Sequence, residues 1–431
     1  MRTQVLLNPN GSGGDVYPFL AVGKQLQRLG HHVGVMTNPL FKERVGEAGL
    51  EFIPLGSEEE LNRVGQSLTS LPKSRIWEVA LRWTAESAAQ AVDYLEQRRT
   101  RYPTMLVGSP LSFGMRLIAE KYQVPSATLV LSPYVLRSVM ASPVVPPLFL
   151  HDWMPKWLKR LQFWAADRWG IDRVIGPILG PLRRQLALEP RTRFLHDWCM
   201  GPDLVLGCFP EWFAPVQRDW PCTFQYVGPI HWEPSTLGQK RGPNREADLT
   251  ELHCADANRP PIAILAGSGG APSQDFYRVW ISASEAMGRG LVIIEKDLAM
   301  LPSALPKHVQ VVPYYPLEQL LRQVSILIHS GSIGATLRCA AAGIPQLVFP
   351  RFNDQFDNAA RVRQLGIGTV LKPAALRRLD GDLATARLTR LFNNARLQQQ
   401  CQAVANRPHT DGASLAAQLI DQVFRRRVQP T

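Results

Sequence analysis

The feature that most constrains the fold is a strand followed by a glycine-rich turn, which occurs near the start of each half of the chain. An apolar run at 4–7 leads into NGSGGD at 10–15, and an apolar run at 262–265 leads into AGSGG at 266–270. A helical pattern and a second apolar run follow each turn, at 18–29 and 33–36 and again at 275–287 and 291–294. Such strand–helix–strand units have parallel strands. The chain is therefore predicted to be an α/β protein with two Rossmann-like, doubly wound domains that face a cleft.

The domain boundaries are predicted from length and composition. A chain of 431 residues exceeds the size at which one hydrophobic core usually stops growing. The stretch 231–259 is rich in proline, glycine, asparagine and charge and lacks periodicity, which is typical of a linker. We expect the first domain at 1–230, the linker at 231–259 and the second domain at 260–410. The segment 411–431 is predicted to be a helix with a basic tail that can cross back to the first domain.

Composition and charge exclude several classes of protein. Apolar residues make up 45% and charged residues 19%, as in ordinary globular proteins. The net charge of +12 favours anionic partners, but the arginines are scattered along the chain, so nucleic acid is not expected. No apolar run reaches the roughly 18 residues of a membrane span, and no signal-peptide pattern is visible, so we expect a cytoplasmic protein. The six cysteines lack metal-ligand spacing, so reduced thiols and no metal site are expected.

The first glycine loop has two possible uses. Bare backbone amides at Gly11, Gly13 and Gly14 can bind a phosphate at a helix start. A dinucleotide site would also need an acidic residue closing the second strand, and that strand ends in Met-Thr-Asn at 36–38, which disfavours a nicotinamide dehydrogenase. Asp15 ends the loop just ahead of a helix, so it either caps that helix or acts in catalysis.

The segment 329–360 carries the most specific motifs. It contains HSGSIGAT at 329–336, AAGIPQLVFP at 341–350 and NDQFDNAA at 353–360. This segment resembles the donor-binding part of family 1 nucleotide-sugar glycosyltransferases, where a His- and Gly-rich loop precedes an AGxP turn and a DQxxNA helix start. Amides and hydroxyls at a helix start can hold a diphosphate and stabilise it as it leaves. The resemblance implies the donor-binding residues Gly267, Ser268, Gly269, His329, Ser330, Gly331, Ser332, Gly334, Thr336, Asp354 and Gln355.

The resemblance covers most of the chain. GSGGDVYPF at 11–19 is similar to the family's N-terminal loop, YVGP at 226–229 to its domain junction and AGS at 266–268 to the first loop of its second domain. Within the family, the chain is most similar to the rhamnolipid rhamnosyltransferases, whose FPxWFAPxQxDWP segment is matched at 209–221. Sterol and macrolide glycosyltransferases are the next most similar groups.

This resemblance implies the GT-B fold, with an acceptor-binding first domain and a donor-binding second domain. It implies an inverting, metal-independent transfer of a hexose or deoxyhexose from a UDP- or dTDP-sugar to a hydroxyl of a hydrophobic acceptor, such as a lipid, a sterol or a polyketide-like compound, without a cofactor. Asp15 would be the catalytic residue, and Gly13 and Gly14 would lie at the acceptor. Two rivals stay open: a non-catalytic nucleotide-sugar-binding or membrane-docking protein of the same fold, and a sugar-nucleotide epimerase.

Some donor-site positions depart from the family pattern or have a second interpretation. Ser330 stands where many members have a second histidine, and LRC at 337–339 offers no glutamate for a ribose. His329 is either a phosphate contact or a strand-end residue bonded to the backbone. Asp354 and Gln355 either cap a helix or bind sugar hydroxyls, and the second role is favoured.

Two further motifs are interpreted structurally. The DGD sequence at 380–382 resembles a metal-binding DxD motif, but it lies between two helical patterns. We expect a turn at Gly381 and a helix cap at Asp382. The two histidines at 31–32 are interpreted as a half-exposed strand start.

Ten of the eleven tryptophans lie before residue 233. In the segment 156–169, helical spacing places Trp157 and Trp164 on one face, with Leu161 and Ala165, among Lys156, Lys159, Arg160 and Arg168. Such a face usually packs into the core. It can also form the wall of an acceptor-binding pocket or lie on an anionic membrane, and both of these roles would suit a lipid acceptor. The sequence therefore predicts acceptor binding by Trp157 and Trp164 and allows a peripheral contact with the membrane.

Overall fold

The chain folds into two compact units. A computed structural model describes residues 3–60, 76–99, 102–196, 198–200, 203–232, 252, 259–267 and 273–428. The first unit comprises Met1–Pro143, Pro147–Thr236 and Thr410–Thr431, and the second comprises Val144–Pro146 and Leu237–His409. The linker expected at 231–259 lies almost entirely outside the described residues.

The first unit is built on a seven-stranded parallel sheet. Its strand order is β3-β2-β1-β4-β5-β6-β7, and Leu6 in the inner strand β1 lies opposite Gly34 on one side and Leu106 on the other. Both faces of the sheet are buried, so its inner strands are continuous apolar runs. In chain order the strands are β1 (Gln4–Asn8), β2 (His32–Thr37), β3 (Glu51–Pro54), β4 (Thr104–Gly108), β5 (Ser126–Val130), β6 (Leu204–Gly207) and β7 (Phe224–Tyr226).

Helices cover both faces of this sheet. The helices are α1 (Gly13–Arg28), α2 (Lys42–Glu47), α3 (Ile76–Arg98), α4 (Phe113–Tyr122), α5 (Lys156–Ala165) and α6 (Asp172–Gln185), with a π-helix at Ala166–Ile171 joining the last two. Helix α1 begins at Gly13, whereas the sequence predicted a start near Pro18. Pro18 is accommodated inside the helix.

The C-terminal helix, Gly412–Val428, belongs to the first unit. It packs beside α1, and its Ala416 and Ile420 join the same buried cluster as Val5 and Leu7. His31 also packs here, since its Nε2 lies 3.0 Å from Asp421 Oδ1 of this helix. The expectation of a half-exposed strand start is therefore wrong for His31, which is 6% exposed, because the returning helix covers it.

The second unit contains a six-stranded parallel sheet with the order β10-β9-β8-β11-β12-β13. The strands are β8 (Ile262–Leu265), β9 (Leu291–Ile294), β10 (Val309–Val312), β11 (Ile326–His329), β12 (Gln346–Val348) and β13 (Gly368–Val370). The helices are α7 (Gln274–Ala286), α8 (Leu317–Leu321), α9 (Ile333–Ala342), α10 (Gln355–Gln364), α11 (Pro373–Leu376), α12 (Gly381–Phe392) and α13 (Ala395–Ala405). Two doubly wound parallel-sheet domains, as the sequence predicted, are confirmed.

The DGD sequence caps a helix, but not through the residue expected. Asp380 Oδ1 accepts a hydrogen bond from the backbone N–H of Leu383 at 2.8 Å, so Asp380 is the N-cap of α12. Asp382 lies inside the first turn of this helix, where a carboxylate also suits the helix dipole. Among the helices that the structure describes, none is both long enough and apolar enough to cross a membrane.

Candidate active site

Each sheet reverses its strand order at one point, and the predicted residues Asp15 and His329 follow or end strands at these points. In the first unit the reversal falls between β1 and β4, and in the second between β8 and β11. Open α/β sheets bind ligands beyond the carboxyl ends of the strands at such a point, because the loops on either side run in opposite directions and leave a crevice. Asp15 follows β1, and His329 ends β11.

Asp15 lies in the first turn of α1 and is bonded to the residue before that helix. Its Oδ2 accepts hydrogen bonds from the backbone N–H of Ser12 at 2.7 Å and from Ser12 Oγ at 3.2 Å. Desolvation raises the pKa of Asp15 above its ordinary value, and the bonds from Ser12 oppose this rise. A carboxylate with a raised pKa is a stronger base, so the side chain can both cap the helix and accept a proton.

The glycines of the first loop make room for this carboxylate. Gly11 has a φ of +129°, and a Cβ on it would lie 2.2 Å from Asp15 Oδ2. A Cβ on Gly13 would lie 3.0 Å from the ring of Tyr17, whereas Gly14 is exposed and meets only Ser12 Oγ, at 3.8 Å. Gly11 is therefore required by the geometry of Asp15, while Gly14 leaves the surface of the helix start open.

A buried polar cluster holds the first glycine loop to the loop after β4, and the sequence did not predict it. Asn10 Nδ2 donates to Ser112 Oγ at 3.1 Å, and Ser112 Oγ donates to the backbone oxygen of Asn8 at 2.6 Å. The backbone N–H of Ser109 donates to the same Ser112 Oγ at 2.8 Å. These bonds join the loops after β1 and β4 at the switch point. Two serines three residues apart after a strand were the signal in the sequence.

His329 is buried, and both ring nitrogens have partners inside the second unit. The backbone N–H of Gly331 donates to Nδ1 at 3.1 Å, so the ring proton lies on Nε2, which donates to Gln346 Oε1 at 3.0 Å. Burial lowers the pKa of His329 to about 4, against the opposing effect of the Gln346 bond. The ring is neutral at pH 7. This geometry favours the strand-end role over a charged phosphate contact.

The loop after β11 packs closely against its neighbours. Gly331 has a φ of +91°, and a Cβ there would lie 2.7 Å from Val348 Cγ1 and 3.2 Å from the backbone oxygen of Gln355. A Cβ on Gly267 would lie 3.2 Å from Ser330 Oγ. The loops after β8, β11 and β12 thus meet at the switch point. The expected residues Ser268 and Gly269 lie outside the described residues.

Helix α9 begins directly at this loop. Ser332 is its N-cap, and both Ser332 and Gly334 are exposed, so the first turn presents backbone N–H groups outward. The sequence predicted that the Thr336 hydroxyl faces a diphosphate, and the structure differs. Thr336 is fully buried, and within the described part of the chain its Oγ1 has no hydrogen-bond partner. The helix start, rather than Thr336, offers the groups that suit an anion.

Asp354 and Gln355 adjoin the loop after β11, but neither side chain caps helix α10. Asn358 Nδ2 donates both to Asp354 Oδ2 and to the backbone oxygen of Gly331, each at 2.9 Å. Gln355 Oε1 accepts the backbone N–H of Arg351 at 2.9 Å. Asn358 therefore links Asp354 to the His329 loop, a role that the DQxxNA motif alone did not reveal.

Asp357, the second acidic residue of the NDQFDNAA segment, has a structural role. Asp357 is buried, and its two oxygens accept bonds from Arg361 Nε at 2.7 Å and from the backbone N–H of Val144 at 3.0 Å. It thus ties the short segment Val144–Pro146 into the second unit. Over the described ranges, no group of three histidine, cysteine, aspartate or glutamate side chains is arranged to hold a metal ion.

The expected acceptor residues Trp157 and Trp164 lie on α5 in the first unit. Their side chains are 64% and 40% exposed, so packing in the core, the commoner meaning of such a face, does not apply to them. Their role in acceptor binding stays a prediction.

Comparisons with known proteins agree with this architecture. Residues 5–141 match the glycosyltransferase family 28 N-terminal domain, and residues 285–415 match the erythromycin biosynthesis protein CIII-like C-terminal domain. Glycosyltransferase GtfE of Amycolatopsis orientalis is 29% identical over 97% of each chain. Sterol 3-beta-glucosyltransferase UGT80B1 of Arabidopsis thaliana is 27% identical over 87% of this chain and 61% of its own.

Solved structures show the same fold. The glycosyltransferase of kitacinnamycin superposes with a TM-score of 0.70 at 18% identity, covering 98% of this chain and 99% of that one. Spinosyn rhamnosyltransferase SpnG, complexed with thymidine diphosphate, has a TM-score of 0.64 at 19% identity and covers 97% of this chain and 100% of its own.

The resemblance to sterol and macrolide glycosyltransferases is thereby confirmed, whereas the likeness to rhamnolipid rhamnosyltransferases stays a prediction. This chain belongs to the glycosyltransferases of GT-B fold, with a family 28 type N-terminal domain and an erythromycin CIII-like C-terminal domain.

Proposed function

We propose that this glycosyltransferase moves a hexose or deoxyhexose from a UDP- or dTDP-sugar to a hydroxyl of a hydrophobic acceptor, a lipid, sterol or polyketide-like compound, with inversion and without a metal ion. One observation carries the donor side of the proposal. The loop that leads into α9 lies against the Asp354-Gln355 pair beside the switch point of the second sheet, and Asn358 bonds both to Gly331 of this loop and to Asp354. A helix start beside a carboxylate and an amide suits a diphosphate that carries a sugar.

Asp15 is the base in this proposal. The acceptor oxygen attacks the anomeric carbon from the side opposite the diphosphate, and its proton passes to Asp15 Oδ1, since Oδ2 accepts the two bonds from Ser12. The bond from the anomeric carbon to the diphosphate oxygen breaks, and its electron pair leaves with the diphosphate. Attack from the opposite side inverts the anomeric centre. The raised pKa of Asp15 supports this role.

The departing diphosphate is stabilised by α9. Outward N–H groups of its first turn, near the exposed Ser332 and Gly334, can donate to phosphate oxygens, and the helix dipole adds to this effect. His329 contributes by orientation, because its neutral ring accepts the N–H of Gly331 and thereby sets the course of the loop. Asp354 and Gln355 bind sugar hydroxyls in this proposal.

The test is a transfer assay on the whole protein with UDP- and dTDP-sugars and a set of apolar alcohols, with and without EDTA. We expect a glycoside whose anomeric configuration, determined by NMR, is opposite to that of the donor, at the same rate in EDTA. A product that retains the configuration, or activity that EDTA abolishes, would contradict the mechanism. Epimerised donor without any acceptor would support an epimerase instead. Tight binding of nucleotide sugar, seen as a higher melting temperature but without turnover, would support a binding protein.

A further inference from the structure

A cluster of large apolar side chains is exposed on the first unit. Six of the fifteen large apolar side chains that are exposed in the described residues lie between 149 and 169. We call this surface the tryptophan face. It consists of Phe149, Trp153, Trp157, Leu161, Trp164 and Trp169. Trp153 is 79% exposed and Trp169 is 68% exposed, although tryptophan is strongly buried on average in globular proteins.

Helix α5 and the π-helix that follows expose tryptophans and bury charged side chains, unlike an ordinary helix on a water-exposed surface. Trp157, Leu161 and Trp164 are spaced at i, i+4 and i+7 on the outer side. The inner side carries Phe163 between two buried charged residues, Lys159, which is 1% exposed, and Asp167, which is fully buried. Lys159, which the sequence placed among the basic residues of the exposed face, therefore does not belong to that face.

Ion pairs fix this orientation. Asp167 pairs with Arg137 and, at 3.4 Å, with Arg193. Asp172, at the start of α6, accepts the backbone N–H of Arg193 at 2.8 Å. A buried carboxylate without its cation is costly, so the helix cannot turn its tryptophans inward without breaking these pairs. The tryptophans are held outward by the polar interior.

Positive charge surrounds the tryptophan face. Four exposed basic residues lie beside it: Lys156, Arg160, Arg168 and Arg173. Among the acidic residues of the segment 149–173, all of which are described, only Asp152 is exposed. Beside Trp169 an open cavity of about 560 Å³ is lined by Arg168, Arg173 and Arg191, together with Asp172, whose oxygens already accept backbone bonds. Such a cavity has the size and charge to receive a phosphate headgroup.

We propose that the tryptophan face docks on an anionic lipid bilayer. Tryptophan favours the boundary between headgroups and acyl chains, and lysine and arginine beside it attract anionic lipid. A second copy of the chain fits less well, because two copies of this face would bring like charges together. The inference goes beyond glycosyl transfer and does not depend on the donor, the acceptor or the base.

The test is co-sedimentation of the full chain with vesicles of phosphatidylcholine alone or with phosphatidylglycerol, at low and at physiological salt. We expect binding to the anionic vesicles that weakens with salt, since screening acts over about 8 Å at physiological ionic strength. Trp153→Ala and Trp157→Ala should each weaken binding about tenfold if the ring buries on the order of 60 Å². Lys156→Gln with Arg160→Gln should weaken binding to anionic vesicles by about fivefold per charge.

A matched control removes two exposed charges elsewhere. Arg390→Gln with Arg396→Gln lowers the net charge equally in the second unit and should leave vesicle binding nearly unchanged. The charge variants keep the test valid if a tryptophan variant fails to fold. Absence of binding to anionic vesicles at low salt, or equal losses in the control, would overturn the proposal. So would a dimer in sedimentation velocity that Trp157→Ala dissociates, or a loss of turnover with a short, water-soluble acceptor in Trp153→Ala without vesicles.

Discussion

Replacing Asp15 by asparagine separates its two structural roles. The amide oxygen of asparagine can accept the backbone N–H of Ser12, which now donates to Oδ2 at 2.7 Å, so the helix cap is kept. The side chain can no longer accept a proton. A general base contributes roughly 10²- to 10⁴-fold, so we expect kcat to fall by that factor, which corresponds to about 2.7–5.5 kcal/mol in the barrier. Donor affinity, measured by calorimetry, should barely change.

The pKa of Asp15 adds a second readout for the same variant. Its pKa in the folded protein is raised by desolvation, so the folded state binds a proton more tightly than the unfolded state does. The contribution of Asp15 to the free energy of unfolding therefore decreases as pH rises from its pKa in the unfolded state, about 3.9, through its pKa in the folded state. This loss of stability persists at neutral pH. Asp15→Asn has no charge to desolvate, so urea unfolding at pH 7 should show equal or greater stability.

The pH profile of the parent enzyme completes this test. A base must be unprotonated, so kcat/KM should rise with pH through the raised pKa of Asp15, and Asp15→Asn should lack this rise. Asp275→Asn is the control, because Asp275 also lies in the first turn of a helix but is exposed on the second unit. Near-normal turnover of Asp15→Asn would refute the assignment. Lost turnover together with lost stability would show that the cap, not the base, matters.

Substitutions at four further residues test the donor side. Asp354→Ala should weaken binding of the intact donor by about 0.5–1.5 kcal/mol more than binding of free UDP or dTDP, and equal losses in calorimetry would argue against contact with the sugar. Gln355→Ala should also cost about 1–3 kcal/mol of stability in urea, because it removes the acceptor of two part-buried backbone N–H groups, those of Arg351 and Phe352. Gly331→Ala should destabilise the fold and weaken donor binding because of its φ of +91° and its close neighbours, whereas Gly334→Ala, whose Cβ would meet nothing within 4 Å, should not. His329 has a pKa of about 4, so its contribution to stability should be lost as pH falls from about 6.5 to 4, by about 3 kcal/mol, and His329→Gln should remove this pH dependence from thermal unfolding.

The local pattern of apolar residues was sufficient to predict the order of strands and helices along the chain. Apolar runs separated by glycine turns predicted the βαβ units of both domains, because parallel strands buried on both faces must be apolar along their length. The loop at 329–334 and the Asp354-Gln355 pair were identified through the resemblance of their motifs to those of family 1 glycosyltransferases. The exact start of α1 was not, because Pro18 is tolerated inside a helix whose N-cap is Ser12.

The sequence did not predict the contacts between segments that are far apart in the chain. Asn10 and Ser112 are 102 residues apart, yet they meet because β1 and β4 are neighbours in the sheet. His329 has Gln346 as its partner, 17 residues away on the adjacent strand, and burial in the folded domain keeps the ring neutral against the opposing effect of this bond. No local pattern specifies which side chain lies across a sheet.

The sequence by itself determined the two α/β domains, the position of their glycine loops and the amphipathic spacing of α5, because each depends on neighbours within a few residues. Only the tertiary structure decided which face of α5 is buried. Helical periodicity shows that Trp157 and Trp164 share a face, but the burial of that face depends on partners elsewhere. Here Asp167 takes the inner side, because its cations Arg137 and Arg193 lie 30 and 26 residues away in the chain and meet it only after folding.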